Sequence, residues 1–170
     1  MPRGLKESSG LITIGFSTSE TAPNAFTQSR VDLQLNVLDR EVFVVYGIQV
    51  DISPPDAIAG LDTSTFASVS NTNRTTVGNL GQPNVIAAAG SQIKAAGFVD
   101  GGVGFEFASA DAPATQLEYL GVIATNDFFV QVQGINNLGV KSISGRLMGV
   151  RAVADASVFA ALTQSELLSA

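Results

Sequence analysis

Apolar and polar residues alternate with a period of two along most of this chain. In residues 31–37, VDLQLNV, the alternation is complete, which predicts a strand with one buried and one solvent-facing side. Residues 42–52 begin with a continuous apolar run and end in alternation. They predict a strand that is buried on both faces at its start and on one face at its end. Pro54 and Pro55 end this strand because proline cannot donate a ladder hydrogen bond.

Similar patterns predict further strands at residues 11–16, 93–99, 103–108, 117–124, 128–133 and 140–154, with a weaker extended segment at 66–76. Asp100, Gly101 and Gly102 predict a hairpin turn, because hairpin turns favour residues that adopt positive φ. Gly145 and Gly149 are candidate bulge positions in the last strand.

Two segments lack this alternation. Residues 83–89 begin with proline and are rich in alanine, which predicts one short helix with Pro83 in its first turn. Near the end, Asp155 precedes an apolar stripe of Val158, Phe159 and Leu162, so a helix is predicted over residues 156–168. This helix either packs on its own sheet or inserts between subunits.

About eight strands with regular turn signals, and no alternation of strands with helices, predict an all-β antiparallel sandwich or barrel. No repeat of 20–50 residues is present, which argues against a propeller or solenoid. We expect residues 1–10 to form a flexible N-terminal segment, residues 11–154 the β domain, and residues 155–170 a C-terminal helix or tail.

Composition favours a protein that is covered by neighbours. Only 14% of the 170 residues are charged, against about 25% in an average globular domain. Neutral polar residues replace them: 16 Ser, 12 Thr, 9 Asn and 9 Gln. The net charge of −6 disfavours direct contact with nucleic acid. Arg3 and Lys6, the only basic residues near a terminus, are too few for a genome-packaging arm.

The chain contains no His, Cys or Trp. These absences exclude Ser-His-Asp and Cys-His hydrolase chemistry, disulfides, and cysteine-based metal centres. The sequence therefore gives no catalytic, cofactor-binding or metal-binding residue, and we expect a non-enzyme without cofactors. Apolar runs are much shorter than the roughly 20 residues that span a bilayer. Residues 1–10 lack the apolar core of a signal peptide, so neither a transmembrane segment nor an export signal is predicted.

Two short motifs have simple interpretations. Gly101–Gly104 resembles a nucleotide-binding loop, but such a loop should open a helix. Here the sequence continues as a strand pattern, so a hairpin turn is the better interpretation. Asn73-Arg74-Thr75 matches a glycosylation acceptor, which we interpret as coincidence in a chain rich in Asn, Ser and Thr.

Acidic pairs are equally unspecific. Asp39 and Glu41 flank Arg40, and Asp51 and Asp56 flank the two prolines. Such pairs could serve catalysis or calcium binding, but we interpret them as polar turn positions, with Arg40 pairing locally. No EF-hand pattern occurs.

The aromatic residues are ten Phe and two Tyr, Tyr46 and Tyr119. Most Phe lie in strand patterns and are predicted to pack in the core. The adjacent pair Phe128 and Phe129 points to both faces of its strand, so another layer or a neighbouring subunit is expected to cover the second face. The remaining Phe predicted to pack in the core are Phe16, Phe43, Phe66, Phe98, Phe105 and Phe107.

Over residues 11–154 the pattern resembles single jelly-roll viral capsid proteins, most clearly in the strand pair 31–52 and the hairpin pair 93–108. The resemblance implies a jelly-roll sandwich and a structural virion protein that assembles with itself and with other virion proteins. Many capsid proteins carry a basic N-terminal arm that this chain lacks. The resemblance therefore implies an outer shell, a decoration or a membrane-enclosed particle.

In this interpretation the contact elements are residues 1–10, the 53–64 loop and the C-terminal helix, arranged around symmetry axes. Two other classes remain open. A lectin-like or adhesin sandwich would be a monomer or small oligomer with a concave polar or aromatic site, with or without calcium. A carboxylate-dependent glycosidase or lyase would need two acids facing each other in a cleft.

Overall fold

The computed structural model describes residues 1–99, 101–108 and 118–169. They form ten strands, one 3-10 turn at Val37–Asp39 and one C-terminal α-helix. In chain order the strands and the helix are β1 Leu5–Glu7, β2 Ile12–Ser19, β3 Thr27–Asp32, β4 Glu41–Ile52, β5 Thr63–Ser70, β6 Val85–Lys94, β7 Val103–Ala108, β8 Gly121–Ile123, β9 Asp127–Ile135, β10 Ser142–Ala154 and α1 Ala156–Ser169.

Four antiparallel pairs are nested within one another along the chain. β5 pairs with β6, β4 with β8, β3 with β9, and β2 with β10. The chain thus runs as a long double ribbon that rolls up into two sheets, which is the jelly-roll arrangement. The first sheet contains β1, β2, β10, β4 and β8, and the second sheet has the order β3-β9-β5-β6-β7. The predicted all-β jelly-roll sandwich with a C-terminal helix is confirmed, with β1 and β7 added to eight nested strands.

The core lies between the two sheets. Phe16 of β2 meets Phe128 of β9 edge to face, with 5.8 Å between ring centroids, so the pair joins the first sheet to the second. Phe43, Ile48 and Leu147 are fully buried in the same cluster. Burial of these large apolar side chains between two amphipathic sheets is the main stabilising contribution.

A second, smaller core lies on the outer side of the first sheet. There α1 lays Val158, Phe159 and Leu162 against a cluster that contains Val44 and Ala152. This explains why β4 begins with an unbroken apolar run: its first half is covered on one side by the second sheet and on the other by α1. Both the helix and the change of burial along β4 were predicted.

The long last strand carries the predicted irregularity. The register between β10 and β4 shifts between Met148 and Gly149. A Cβ atom on Gly149 would come within 2.5 Å of both the Val44 carbonyl oxygen and the Phe43 ring. Glycine is therefore needed here for close approach of the two backbones at the bulge.

The predicted helix over residues 83–89 is wrong. Residues from Val85 onward form β6, which pairs with β5 on one side and with β7 on the other. Alanine favours helices only weakly, by tenths of a kcal/mol, and two flanking strands override that preference. The side chains of Ala87 and Ala89 are buried in this sheet.

The predicted strand over residues 31–37 is displaced. β3 ends at Asp32, and Gln34 has a positive φ of 52°, which interrupts a strand. Leu33 and Leu35 are nevertheless buried, and their N–H groups donate to Asn126 instead of a ladder. The alternating pattern therefore reflects alternate burial of side chains in a connecting segment and not pairing between strands.

The predicted strand over residues 93–99 is also displaced. β6 ends at Lys94, which pairs with Val103 of β7. The pairing of two antiparallel strands agrees with a hairpin, but a longer loop connects them. Asp100 of the predicted turn and Leu117, the start of the predicted 117–124 strand, lie outside the described residues.

Residues 5–7 of the N-terminal segment form β1 and pair with the end of β10. The amino group of Met1 forms an ion pair with Glu118, and its nitrogen lies 2.9 Å from Glu118 Oε2. The division of the chain into three regions stays a prediction. Across the described ranges, no helix combines the length and apolar character needed to cross a membrane.

Candidate assembly surface

One end of the sandwich is formed by the loops β2–β3, β4–β5, β6–β7 and β9–β10, called the loop end below. Asn24 Nδ2 donates to the Asn137 carbonyl, and the Asn137 N–H donates back to Asn24 Oδ1, both at 2.8 Å. Asn137 Oδ1 accepts from the Asp56 N–H at 2.9 Å, while its Nδ2 donates to the Ser64 carbonyl at 2.8 Å. The Asn137 side chain is almost fully buried. One residue thus ties three chain segments together.

Asp56 fixes the β9–β10 loop from a second side. Its Oδ2 accepts the N–H groups of Leu138 and Gly139 at 2.8 and 3.0 Å, and its Oδ1 accepts from Lys141 Nζ at 2.7 Å. The hydrogen bond from Lys141, followed by those from the two backbone N–H groups, lowers the pKa of Asp56 from 3.8 to about 2. The carboxylate is therefore ionised over the whole physiological range.

Glu20 completes this set of contacts from the start of the β2–β3 loop. Its buried carboxylate accepts the N–H groups of Gly134 at 2.5 Å and Lys141 at 2.7 Å. Lys141 Nζ also donates to the Pro54 carbonyl at 3.0 Å. The charges of this network are used to hold backbone, which leaves the arrangement suited to rigidity rather than to catalysis.

The β6–β7 loop is attached to the same end by Asp62. Its Oδ1 accepts the N–H groups of Ala95 and Ala96 at 2.8 and 2.9 Å, and Lys94 lies 3.3 Å from its Oδ2. These backbone hydrogen bonds, the one from Ala96 first, lower the pKa of Asp62. Four loops are thereby joined into one surface by Asp and Asn side chains.

This polar framework presents apolar side chains to solvent. Val99 is 89% exposed and Leu138 is 81% exposed. Leu61, Phe98 and Val140 are also exposed, each with more than a third of its surface accessible. Exposed apolar residues grouped on a rigid surface are typical of a contact site for another protein.

The outer face of the second sheet has a polar half and an apolar half. In the polar half the loop 71–84 covers a buried chain of hydrogen bonds. The Gly78 N–H donates to Ser68 Oγ, Ser68 donates to Gln131, and Gln131 donates to Ser70. The apolar half contains a pocket of about 510 Å³ between that loop and the sheet, with Phe66, Leu80 and Ala88 in its lining.

The core prediction is wrong for Phe98, Phe105 and Phe107, which are each more than half exposed. Phe105 and Phe107 lie on the outer face of β7, since Phe107 pairs with Gly90 and Gly90 pairs with Phe66 on the side away from the core. Phe66 and Phe107 contact each other with ring centroids 6.1 Å apart. The period-two pattern shows that these residues share one face of the strand. It does not show whether that face points toward the core or away from it.

Helix α1 is fastened at its far end by one buried acid. Glu166 Oε1 accepts the Ala124 N–H at 2.8 Å and Oε2 accepts the Thr125 N–H at 3.0 Å. Burial raises the pKa of Glu166, and these hydrogen bonds oppose the effect only in part. The last apolar residues of the helix, Leu167 and Leu168, are exposed.

Solved structures from several viruses have a similar course of the chain. A protein of Desmodium yellow mottle tymovirus is 13% identical, with 92% of this chain and 96% of that chain covered and a TM-score of 0.32. The VP1 protein of Merkel cell polyomavirus, solved as an unassembled pentamer, is 8% identical, with coverages of 87% and 97% and a TM-score of 0.37. Turnip yellow mosaic virus is 12% identical, with coverages of 92% and 89% and a TM-score of 0.30.

Viral capsid proteins share this fold. The nested strand pairing in two sheets confirms the jelly-roll fold that the resemblance inferred from the sequence implied. No protein-family model matches the chain, and no curated protein is similar to it at a significant level.

The acidic and glycine motifs lie in structural positions. Glu41 accepts from the Asn36 N–H at 2.9 Å and from Ser8 at 3.2 Å, beside the turn that contains Asp39. Asp51 is an exposed residue of β4, paired with Ser144. Within the described ranges, no three acidic side chains are grouped so that they could hold a metal ion.

The remaining motif residues are engaged in local contacts. Asn73 Oδ1 accepts from Gln28 at 2.6 Å, and Val103 begins β7 directly after Gly102. Tyr46 and Tyr119 pack against the second, smaller core that α1 covers.

The roles of Glu20, Asn24 and Asn137 were not predicted, and the only signal for them in the sequence is the Asn-rich loop at residues 134–139.

Proposed function

We propose that this chain is a structural subunit of a virion, which assembles with copies of itself into a closed shell or lattice. The observation that carries the proposal is the loop end, where a buried polar network holds four loops and presents exposed apolar side chains. A rigid apolar surface needs no ordering on association, so little conformational entropy opposes its burial. The jelly roll is consistent with this function, although the same fold also serves lectins.

The contact elements of the proposed subunit are the loop end, the N-terminal residues 1–10 and α1. The 53–64 loop belongs to the loop end through Asp56 and Leu61. The exposed Leu167 and Leu168 at the end of α1 offer a second apolar contact. Such contacts on different sides of a subunit form rings and shells when their rotations close.

Low surface charge supports contact between like subunits. The ion pair between Lys141 and Asp56 is internal to the loop end, with Lys141 buried, so a neighbour does not have to desolvate the Lys141 charge. The net charge of −6 also supports a position away from the genome, as in an outer shell or a decoration. Other virion proteins are the further partners of this proposal.

The experiment that tests the proposal is particle sizing of the purified full chain by light scattering, together with negative-stain microscopy. Closed shells or extended lattices support it. A strict monomer over the accessible concentration range contradicts it, and a monomer that binds a glycan would favour the lectin-like binding module instead.

A further inference from the structure

β7 is the terminal strand of the second sheet. It pairs with β6 from Lys94↔Val103 to Ala89↔Ala108, and among the described residues no strand pairs with its other edge. The backbone N–H and C=O groups of a free edge can pair with a further extended chain. β7 contains no proline or bulge that would prevent such pairing.

The outer face of β7 carries an apolar row. Val103, Phe105 and Phe107 are 49%, 57% and 51% exposed. The row continues inward through Phe66, whose ring contacts that of Phe107. An edge that no described strand pairs with and an exposed aromatic row therefore lie on the same strand.

We propose that β7 pairs with β7 of a second copy across a two-fold axis, in antiparallel register centred on Phe105. This inference rests on the proposed function, because it supplies one of the contacts between subunits. The second sheet of one copy and the second sheet of the other then form one continuous sheet. A two-fold axis perpendicular to that sheet keeps the outer faces on one side, so the two apolar rows meet.

The register follows from the side chains that become opposed. Centred on Phe105, the strands pair Phe105 with itself and Val103 with Phe107 of the second copy, which are aromatic and aromatic–aliphatic pairs that stabilise sheets. Centred on Glu106, they would place two carboxylates directly opposite each other, which is unfavourable.

Gly104 leaves open space opposite Glu106 in this register. In the proposed pairing Glu106 faces Gly104 of the second copy, on the side of the sheet away from the apolar row. No atom lies within 4 Å of the position that a Cβ on Gly104 would occupy. The Glu106 carboxylate therefore meets neither a like charge nor a clash. A second copy fits this edge because the same strand supplies both halves of every pair.

A cysteine cross-link tests both the contact and its register. The chain has no cysteine, so a single introduced thiol can form a disulfide only with its counterpart in another copy. Directly opposed Cα atoms are about 4.5–5.5 Å apart, within the range for a disulfide. In the proposed register two residues at position 106 are roughly 8 Å apart, beyond that range.

We therefore expect Phe105→Cys to give a disulfide-linked dimer under mild oxidation, seen on a non-reducing gel, and the matched variant Glu106→Cys to give little. Faster cross-linking of Glu106→Cys than of Phe105→Cys overturns the register. Failure of both variants to cross-link, with thiols shown to be accessible by labelling, overturns the contact.

Charge variants at Gly104 provide a second test. Gly104→Lys places a positive charge opposite Glu106 twice in each interface and should tighten dimerisation about two- to thirty-fold. Gly104→Glu should weaken it by a similar factor, and adding Glu106→Lys to Gly104→Glu should restore it. Sedimentation equilibrium measures the dimer, and thermal unfolding confirms that the variants fold. Equal dimerisation of all three variants contradicts the pairing.

The outcomes separate this inference from the proposed function. A specific Phe105→Cys cross-link in a protein that forms no particles supports the β7 contact and contradicts the shell. Particles whose subunits do not cross-link through position 105 support the shell and overturn the β7 contact.

Discussion

Asn24 and Asn137, far apart in sequence, exchange two hydrogen bonds of 2.8 Å at the loop end of the sandwich. Because each of these residues lies in a different connection between strands, the pair fixes the β2–β3 loop against the β9–β10 loop. The exposed Leu138 lies directly beside this pair and is held in place by it. Rigidity and apolar exposure thus occur at neighbouring positions.

Replacing Asn137 by alanine should destabilise the fold. The substitution leaves the Asp56 N–H and the Ser64 carbonyl without their partners in a buried place, which costs about 1–3 kcal/mol for each unsatisfied group before water compensates. Urea unfolding should show a lower midpoint with an unchanged slope. The neighbouring change Leu138→Ser alters an exposed side chain and should keep stability within about 0.5 kcal/mol. Equal stability of wild type and Asn137→Ala would show that the network does not hold the loops.

Acid should loosen the loop end through Asp56. The folded protein holds the pKa of this carboxyl at about 2, below its ordinary value of 3.8. Its contribution to stability is therefore complete above pH 3.8 and lost as the pH falls to about 2. We expect Asp56→Asn to be less stable than wild type at pH 6 and to approach wild type at pH 2, measured by thermal unfolding. A constant difference over this range would contradict the assignment.

Glu166 should have the opposite effect on the pH dependence. Burial raises its folded-state pKa above the ordinary value of 4.5, so the folded state holds the proton more tightly than the unfolded chain. The contribution favours folding below pH 4.5 and is lost as the pH rises through the raised pKa. Glu166→Gln should remove this decline as the pH rises above 4.5. The decline would persist in the variant if another group caused it.

The two classes of phenylalanine should respond differently to truncation. Phe128 is fully buried between the sheets, so Phe128→Ala should cost about 3–5 kcal/mol of stability. Phe105 is exposed on β7, so Phe105→Ser should change monomer stability by less than about 1 kcal/mol. Urea unfolding of dilute protein compares the two, and similar losses in both would contradict the distinction between core and outer face.

The strands with the strongest local pattern could be predicted from the sequence. β4 and β10 were predicted nearly to the residue because many adjacent positions follow the same burial pattern and because Pro54 ends β4. The helix α1 was predictable because its apolar stripe follows Asp155. The nesting of the strand pairs entered only through a resemblance, since pairing between distant strands leaves no local signal.

Other features could not be predicted from local patterns. The Ala-rich start of β6 has a helical composition, and only its two neighbouring strands make it extended. The loop end depends on contacts such as Asp56 with Lys141 and Glu20 with Gly134, which join residues that are distant in sequence. The exposed side of Phe105 and Phe107 depends on which face of the second sheet the core occupies.

Apolar residues at the loop end should control assembly without controlling folding. Leu138→Asp places a charge at an 81% exposed position of the β9–β10 loop, where burial against a neighbour would require its desolvation. We expect the variant to fold as wild type by circular dichroism and to remain small in light scattering. The matched change Thr13→Asp, at an exposed position of β2 outside the loop end, should leave assembly intact. Assembly of both variants alike would exclude the loop end as a contact.

The most direct measurement is the particle size of the wild-type chain as its concentration is raised, followed by light scattering and negative-stain microscopy. A structural virion subunit should form closed shells or regular lattices above a critical concentration. A monodisperse monomer at every concentration would contradict the account.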